Sequence, residues 1–192
     1  KGDGAACFKL AYAQVSGKGG RSADWEKAST LVTRSCRLGH PDGCLLYANF
    51  FMKEGKLDKA VAAYNQACRM GHPLGCFSAG SMFAAGEGTA RDPRRAAALN
   101  RRGCDGGAQE ACVALAAQYA GGVGVKADQN ESLALNQRAC DGDNARACGN
   151  VGLHYEQGIE RSRSLTTSAE HSQYLAKADR LYKRACGLDK SS

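Results

Sequence analysis

The sequence predicts an all-α solenoid of about five helix-turn-helix repeats. Three observations carry that prediction: cysteines paired at a fixed spacing, a period in the mid-thirties, and an apolar stripe in register with both. Ten cysteines occur in 192 residues. Cys36 and Cys44, Cys68 and Cys76, Cys104 and Cys112, and Cys140 and Cys148 each stand eight apart. The second members, with Cys7, fall at 7, 44, 76, 112 and 148, in steps of 37, 32, 36 and 36. The first members, with Cys186, fall at 36, 68, 104, 140 and 186, so the last step stretches to 46. Self-similarity of this length marks two-helix units that bury their apolar faces on one another. The expectation is one domain over 1–192, with units at roughly 7–43, 44–75, 76–111, 112–147 and 148–186.

Helix A of each unit is read from the second cysteine. Three positions on stand Leu10, Tyr47, Ala79, Leu115 and Val151, and four positions on stand Ala11, Ala48, Gly80, Ala116 and Gly152. Seven positions on stand Gln14, Phe51, Phe83, Tyr119 and Tyr155. Positions 0, 3, 4 and 7 share one helical face, and the small residue at 4 admits a neighbouring helix closely. A glycine then ends the helix: Gly17, Gly55, Gly86, Gly122 or Gly158, because glycine adopts the left-handed C′ conformation without a Cβ penalty. Helix B follows. Its start is clearest at Arg91-Asp92-Pro93, with Asp92 as N-cap and Pro93 at N1. Its buried stripe reads Ala60, Ala63, Tyr64, Ala67 and Cys68 in one unit and Ala96, Leu99, Asn100, Gly103 and Cys104 in the next. A turn such as Gly39–Gly43 leads into the following helix A.

Each cysteine pair therefore spans a B-to-A turn, with one sulfur at the end of a helix and the other at the start of the next. That placement suits four disulfides with Cα atoms ~5.5 Å apart. Ten cysteines at this density point to an oxidising compartment, periplasmic or secreted. Cys7 and Cys186 hold register positions whose partners fall outside residues 1–192, so the chain is expected to be part of a longer repeat array. No apolar run reaches the ~18 residues of a membrane span. The net charge of +7 favours an acidic partner but is too dispersed to indicate nucleic acid.

The joint pattern resembles the Sel-one-like repeat (SLR) family, related to the tetratricopeptide repeats. It reads Cys112-Val-Ala-Leu-Ala-Ala-Gln-Tyr-Ala-Gly-Gly-Val-Gly-Val-Lys-Ala-Asp128 and Cys76-Phe-Ser-Ala-Gly-Ser-Met-Phe-Ala-Ala-Gly-Glu-Gly-Thr-Ala-Arg-Asp92. Cysteines eight apart across the B-A turn are similar to those of the cysteine-rich, Hcp-type branch. The resemblance implies a right-handed superhelix, an exported scaffold or adaptor for protein complexes, and in some members a toxin-neutralising immunity role. It also implies, as alternatives, the β-lactamase or penicillin-binding activity attached to members of that branch. Two departures stand out: the short connection Gly55-Lys56-Leu57-Asp58, and a polar insertion near Ile159–Ser168 read as a mobile or binding loop.

The chemistry-bearing candidates are few. Cys36-x3-His40-x3-Cys44 and Cys68-x3-His72-x3-Cys76 have ligand-like residue types, but the other two pairs lack the histidine, so turn residues beside disulfides are expected rather than a metal. A redox or metal-handling role is the remaining alternative for the cysteines. No serine has lysine three positions on, as serine β-lactamases need, and a non-enzyme with no cofactor is expected. Gly17-x-Gly19, Gly86-x-Gly88 and Gly122-x-Gly124 follow helices rather than strands, so they read as helix ends, not phosphate loops. Arg91, Arg94, Arg95, Arg101, Arg102, Arg180, Lys183 and Arg184 read as a solvated outer face of the B helices. The A helices are expected to line a concave groove that binds a protein or peptide. Positions two, five, six and nine of helix A supply its candidates: Tyr12, Asn49, Phe50, Ser81, Met82, Gln118, Asn150 and His154, beside Lys9, Lys53 and Gln157. The amides and hydroxyls would bond an extended backbone, with Phe50 and Met82 as apolar anchors.

Overall fold

The computed structural model describes residues 2–16, 25–162 and 168–187, and its described residues form ten helices and no strand. It divides into two compact units, Lys1–Ala111 and Cys112–Ser192, the boundary falling where the fourth repeat starts. Unit 1 holds α1 (Gly4–Val15), α2 (Trp25–Arg37), α3 (Pro41–Lys53), α4 (Leu57–Arg69), α5 (Pro73–Ala85) and α6 (Pro93–Asp105). Unit 2 holds nearly all of α7 (Gln109–Gly121), then α8 (Gln129–Asp141), α9 (Ala145–Ser162) and α10 (Ser168–Ala185). Odd-numbered helices are the A helices and even-numbered ones the B helices. From α1 to α6 each helix packs on its sequence neighbour, and α8, α9 and α10 do the same in unit 2.

The turns from B to A are shorter than the sequence suggested. Three residues suffice, Leu38–His40 or Met70–His72, because Pro41 and Pro73 already stand in the first turn of α3 and α5. Pre-set φ and an expendable N–H suit proline to that place. Cys44 and Cys76 thus lie one turn inside helix A. All four turns close on one pattern, as when Gly71 donates to the Cys68 carbonyl at 3.0 Å and His72 to the Ala67 carbonyl at 3.0 Å. The middle residue is left-handed: Gly39, Gly71 and Gly107 have φ of 84°, 86° and 96°, and Asp143 has 63°. Asp143 is the non-glycine here, and its carboxylate accepts from Arg184 at 2.8 Å.

The disulfides Cys36–Cys44, Cys68–Cys76 and Cys140–Cys148 hold Cα atoms 4.4, 4.4 and 4.6 Å apart, and Cys104 and Cys112 are likewise disulfide-bonded. These separations sit at the short end of the usual range. Small residues just before each cysteine permit it. A Cβ on Gly75 would lie 2.7 Å from that of Ala67, and one on Gly103 would lie 2.8 Å from that of Ala111. Cys7 and Cys186 are free.

Within each repeat, position 4 of helix A meets the residue four before the first cysteine on helix B. A Cβ on Gly80 would come 2.5 Å from Asn100 Oδ1, and one on Gly152 2.9 Å from the Tyr182 ring. The stripe of small residues is therefore a close helix crossing, as expected. A second link was not legible as such: a cation nine before the first cysteine lies over the aromatic at position 7. Lys59 stands 5.8 Å from the Phe51 centroid, Arg95 4.1 Å from Phe83, and Lys177 4.4 Å from Tyr155.

Several expectations are corrected. Leu10, in the stripe, is 50% exposed, because among the described residues no helix of unit 1 covers that side of α1. Gly158 does not end its helix: α9 continues to Ser162, a mid-helix glycine costing only ~1 kcal/mol among residues that propagate helix. Part of the expected loop, 159–162 and Ser168, is therefore helical, while 163–167, Gly17 and Gly19 lie outside the described residues. The basic cluster is not merely solvated. Arg102 donates to the Cys68 carbonyl at 3.1 Å, capping the preceding B helix. Arg184 does the same in unit 2, reaching the Asp141 carbonyl at 3.4 Å besides Asp143. Arg91 Nε donates to the Ala84 carbonyl at 3.1 Å. The glycine turns do end helices, as with Gly86 at φ 81°, donating to the Met82 carbonyl.

Candidate functional site

The eight paired cysteines are all in disulfides, so their sulfurs are not thiolate ligands. The histidines of the two ligand-like patterns have structural work. His72 Nδ1 accepts from the Gly75 N–H at 3.2 Å, capping α5, and its Nε2 stands 3.0 Å from Asp42 Oδ1. Together the two contacts hold the ring between the start of α5 and Asp42. His40 stacks on Phe8, with centroids 5.2 Å apart. Asn144 fills the equivalent place in unit 2, and its Oδ1 accepts from Ala147 N at 3.0 Å.

The predicted groove residues divide by register. Position 5 of helix A is open in unit 1: Tyr12, Asn49 and Ser81 are exposed. Position 6 is closed at Phe50, Met82 and Gln118, which corrects the expectation of open anchors, whereas His154 at the same position is half-buried. Phe50 is 7% exposed, among Ala11, Ala28 and Val32; Met82 is 3% exposed; and Gln118 is 8% exposed. An A helix inside such a stack is covered by its own B helix and by the preceding pair, so its buried arc is wider than one stripe. The nearly all-apolar α5 shows the same demand in its composition.

Asn49 accepts a hydrogen bond from the Tyr64 hydroxyl at 2.5 Å. Burial pushes the Tyr64 hydroxyl above its usual pKa. The folded state thus favours neutral tyrosine, and this contribution is whole below the unfolded value near 10 and is lost as pH rises through the folded one. Tyr64→Phe should lower stability by ~1 kcal/mol at neutral pH. It should also flatten the alkaline decline in chemical unfolding midpoints above pH ~10. An unchanged alkaline slope would contradict the assignment.

Unit 2 contains a cleft of about 210 Å³. Its lining runs from Ala117 and Ala120 on α7, over Gln129, Ser132, Leu133 and Asn136 on α8, to Asn150, Leu153, His154 and Gln157 on α9. Of the predicted candidates, Asn150 and His154 meet here with Gln157, whereas Gln118 does not line it. Asn136 is 8% exposed; its Nδ2 donates to the Ser132 carbonyl at 3.0 Å and its Oδ1 accepts from Asn150 Nδ2 at 3.0 Å. The same place between α3 and α5 in unit 1 holds larger groups: Tyr64 in the register of Asn136, Met82 in that of His154, and Met52 in that of Ala120. The signal for the cleft was in the sequence, as the column Val32, Tyr64, Asn100, Asn136 and Tyr182, where polar residues interrupt a buried stripe.

Solved structures share this stacking of paired helices. A protective antigen of uropathogenic Escherichia coli displaying an SLR fold, c5321, superposes with a TM-score of 0.78 at 21% identity, over 93% of this chain and 38% of its own. The chain carries the SLR fold. A Sel1 repeat protein from Oxalobacter formigenes gives 0.74 at 22% identity, over 99% of this chain and 59% of its own. Helicobacter pylori cysteine-rich protein B gives 0.54 at 26% identity, over 65% of this chain and 92% of its own. The likeness to a cysteine-rich protein of this fold fits the disulfides of the chain. The chain spans 38% and 59% of the length of the first two proteins. No family model and no curated protein sequence matches it.

Proposed function

We propose that this SLR chain is a protein-interaction module of an oxidising compartment, binding a polypeptide segment along the exposed face of its A helices. The cleft beside Asn150 and His154 is the observation that carries the reading, since it is a concave, uncharged place lined by hydrogen-bonding side chains. Within unit 1, the open column Tyr12, Asn49 and Ser81 holds the helix-A position that Leu153 holds in the cleft. Repeat stacks present surfaces of this kind for extended partners. The disulfides support an exported setting, periplasmic or secreted. Scaffolding and neutralisation of a secreted toxin are the two forms the SLR resemblance suggests, and the positive net charge favours an acidic partner.

The test is binding of a captured partner to disulfide-intact protein. Asn150→Ala with His154→Ala should weaken it by about tenfold or more, as central contacts do. Lys183→Ala, on a B helix away from the cleft, should leave it unchanged. A partner held equally by both variants would remove the A-helix surface as the binding site.

A further inference from the structure

We infer that the unit 2 cleft reads an uncharged carboxamide side chain, glutamine or asparagine, of the bound polypeptide. The inference rests on the interaction reading above and assigns what one place in that surface selects. None of the ten lining residues carries a formal charge unless His154 is protonated, while four of them, Gln129, Asn136, Asn150 and Gln157, are carboxamides. Each such group offers two donors and an acceptor. Their internal bonds consume only part of that capacity. Asn136 is bonded through one Nδ2 hydrogen and Oδ1, Asn150 through one Nδ2 hydrogen, and Gln129 through Nε2 to the Ala120 carbonyl at 3.1 Å. Asn136, more than nine-tenths buried, carries a second Nδ2 hydrogen beyond the one bonded to the Ser132 carbonyl.

A ligand carboxamide answers this arrangement on both sides, giving an acceptor to Asn136 and a donor pair to the Oδ1 of Asn150 or the Oε1 of Gln157. A carboxylate brings no donor and an uncompensated charge, and an ammonium brings no acceptor. An aliphatic side chain leaves the amides unmet. The cleft is also smaller than the roughly 300–1,000 Å³ of sites for drug-sized ligands, so it suits a single side chain. Leu133 and Leu153 provide apolar walls for its methylenes. No Phe, Tyr or Trp lines it, which leaves a sugar ring no face to stack on.

The probes are N-acetyl, C-methylamide pentapeptides of alanine with Gln, Glu, Lys or Leu at the centre, titrated into the disulfide-intact chain. Side-chain amide resonances of Asn136 and Asn150 are followed by NMR. The Gln probe should shift them with a Kd about tenfold below those of the Glu, Lys and Leu probes, a discrimination of ~1.4 kcal/mol. Asn150→Ala, at an exposed position and with its fold checked by circular dichroism, should abolish that preference. Equal affinities, a preference for Glu, Lys or Leu, or no shift at ~10 mM peptide would each overturn the inference. So would N-acetylglucosamine shifting the same resonances at lower concentration than the Gln probe. The wider reading fails separately: partner binding that is lost on Asn150→Ala with His154→Ala, beside a flat probe series, sinks only the carboxamide.

Discussion

Replacing Cys68 and Cys76 together by alanine should lower stability by about 2.5 kcal/mol, the loop-closure value for a nine-residue ring. For a chain of this size that is a fall in melting temperature of roughly 5–10 °C. Reducing all four bridges should remove a large share of the ~5–15 kcal/mol usual for a folded domain and unfold the protein near body temperature. Two features make the Cys68–Cys76 elbow a sound place to measure this. Cys68 and Cys76 are both essentially buried, and Gly75 packs closely on Ala67 beside the bond. Circular dichroism melts of oxidised, reduced and doubly substituted protein separate the covalent effect from side-chain loss. A variant melting within a degree or two of the parent would show that packing alone holds the elbow.

Gly88→Ala should destabilise unit 1 by about 3 kcal/mol. The residue has φ 65°, and leaving glycine there costs roughly 1–2 kcal/mol. A Cβ would also run into the Leu57 carbonyl and come within 2.7 Å of Asp58 N, at the start of α4. Backbone presses on backbone there, so no side chain can swing aside, and overpacking of that kind costs ~1–3 kcal/mol more. Gly39→Ala is the control, since its left-handed φ of 84° faces open space and only the first cost applies. Urea midpoints at pH 7 should rank the parent first, Gly39→Ala next and Gly88→Ala last. A reversed order of the two variants would refute the contact.

Much of this architecture was legible. The spacing of eight fixed where the chain doubles back, and Asp92-Pro93 marked one helix start, with Asp92 accepting from Arg95 N at 3.0 Å. Gly88 was read as half of a helix-ending turn, whereas its strict requirement comes from α4, a neighbour that no local pattern reveals. Phe50 and Met82 were misplaced for a related reason. A single-helix wheel sees one apolar face, and a helix inside a stack has two. The cleft is harder to read because its floor residue, Asn136, belongs to helix B, whose stripe reads as buried core. The cations over Phe51, Phe83 and Tyr155 were visible one by one but gained meaning only in register with their rings. Where one helix determined a residue's role, sequence sufficed; where the role lay between helices, it did not.

The covalent elbows join each B helix to the A helix of the following repeat, so the cross-linked hairpin is offset by half a period from the unit that recurs in sequence. In denaturant under oxidising conditions the chain would therefore keep preformed nuclei such as α4–α5, not α3–α4. Hydrogen exchange should report slow amides clustered about the elbows, with earlier opening at the unstapled A-to-B connections. Each nucleus closes within nine residues, so ordering begins from contacts of minimal sequence separation, the condition under which helical chains assemble fastest.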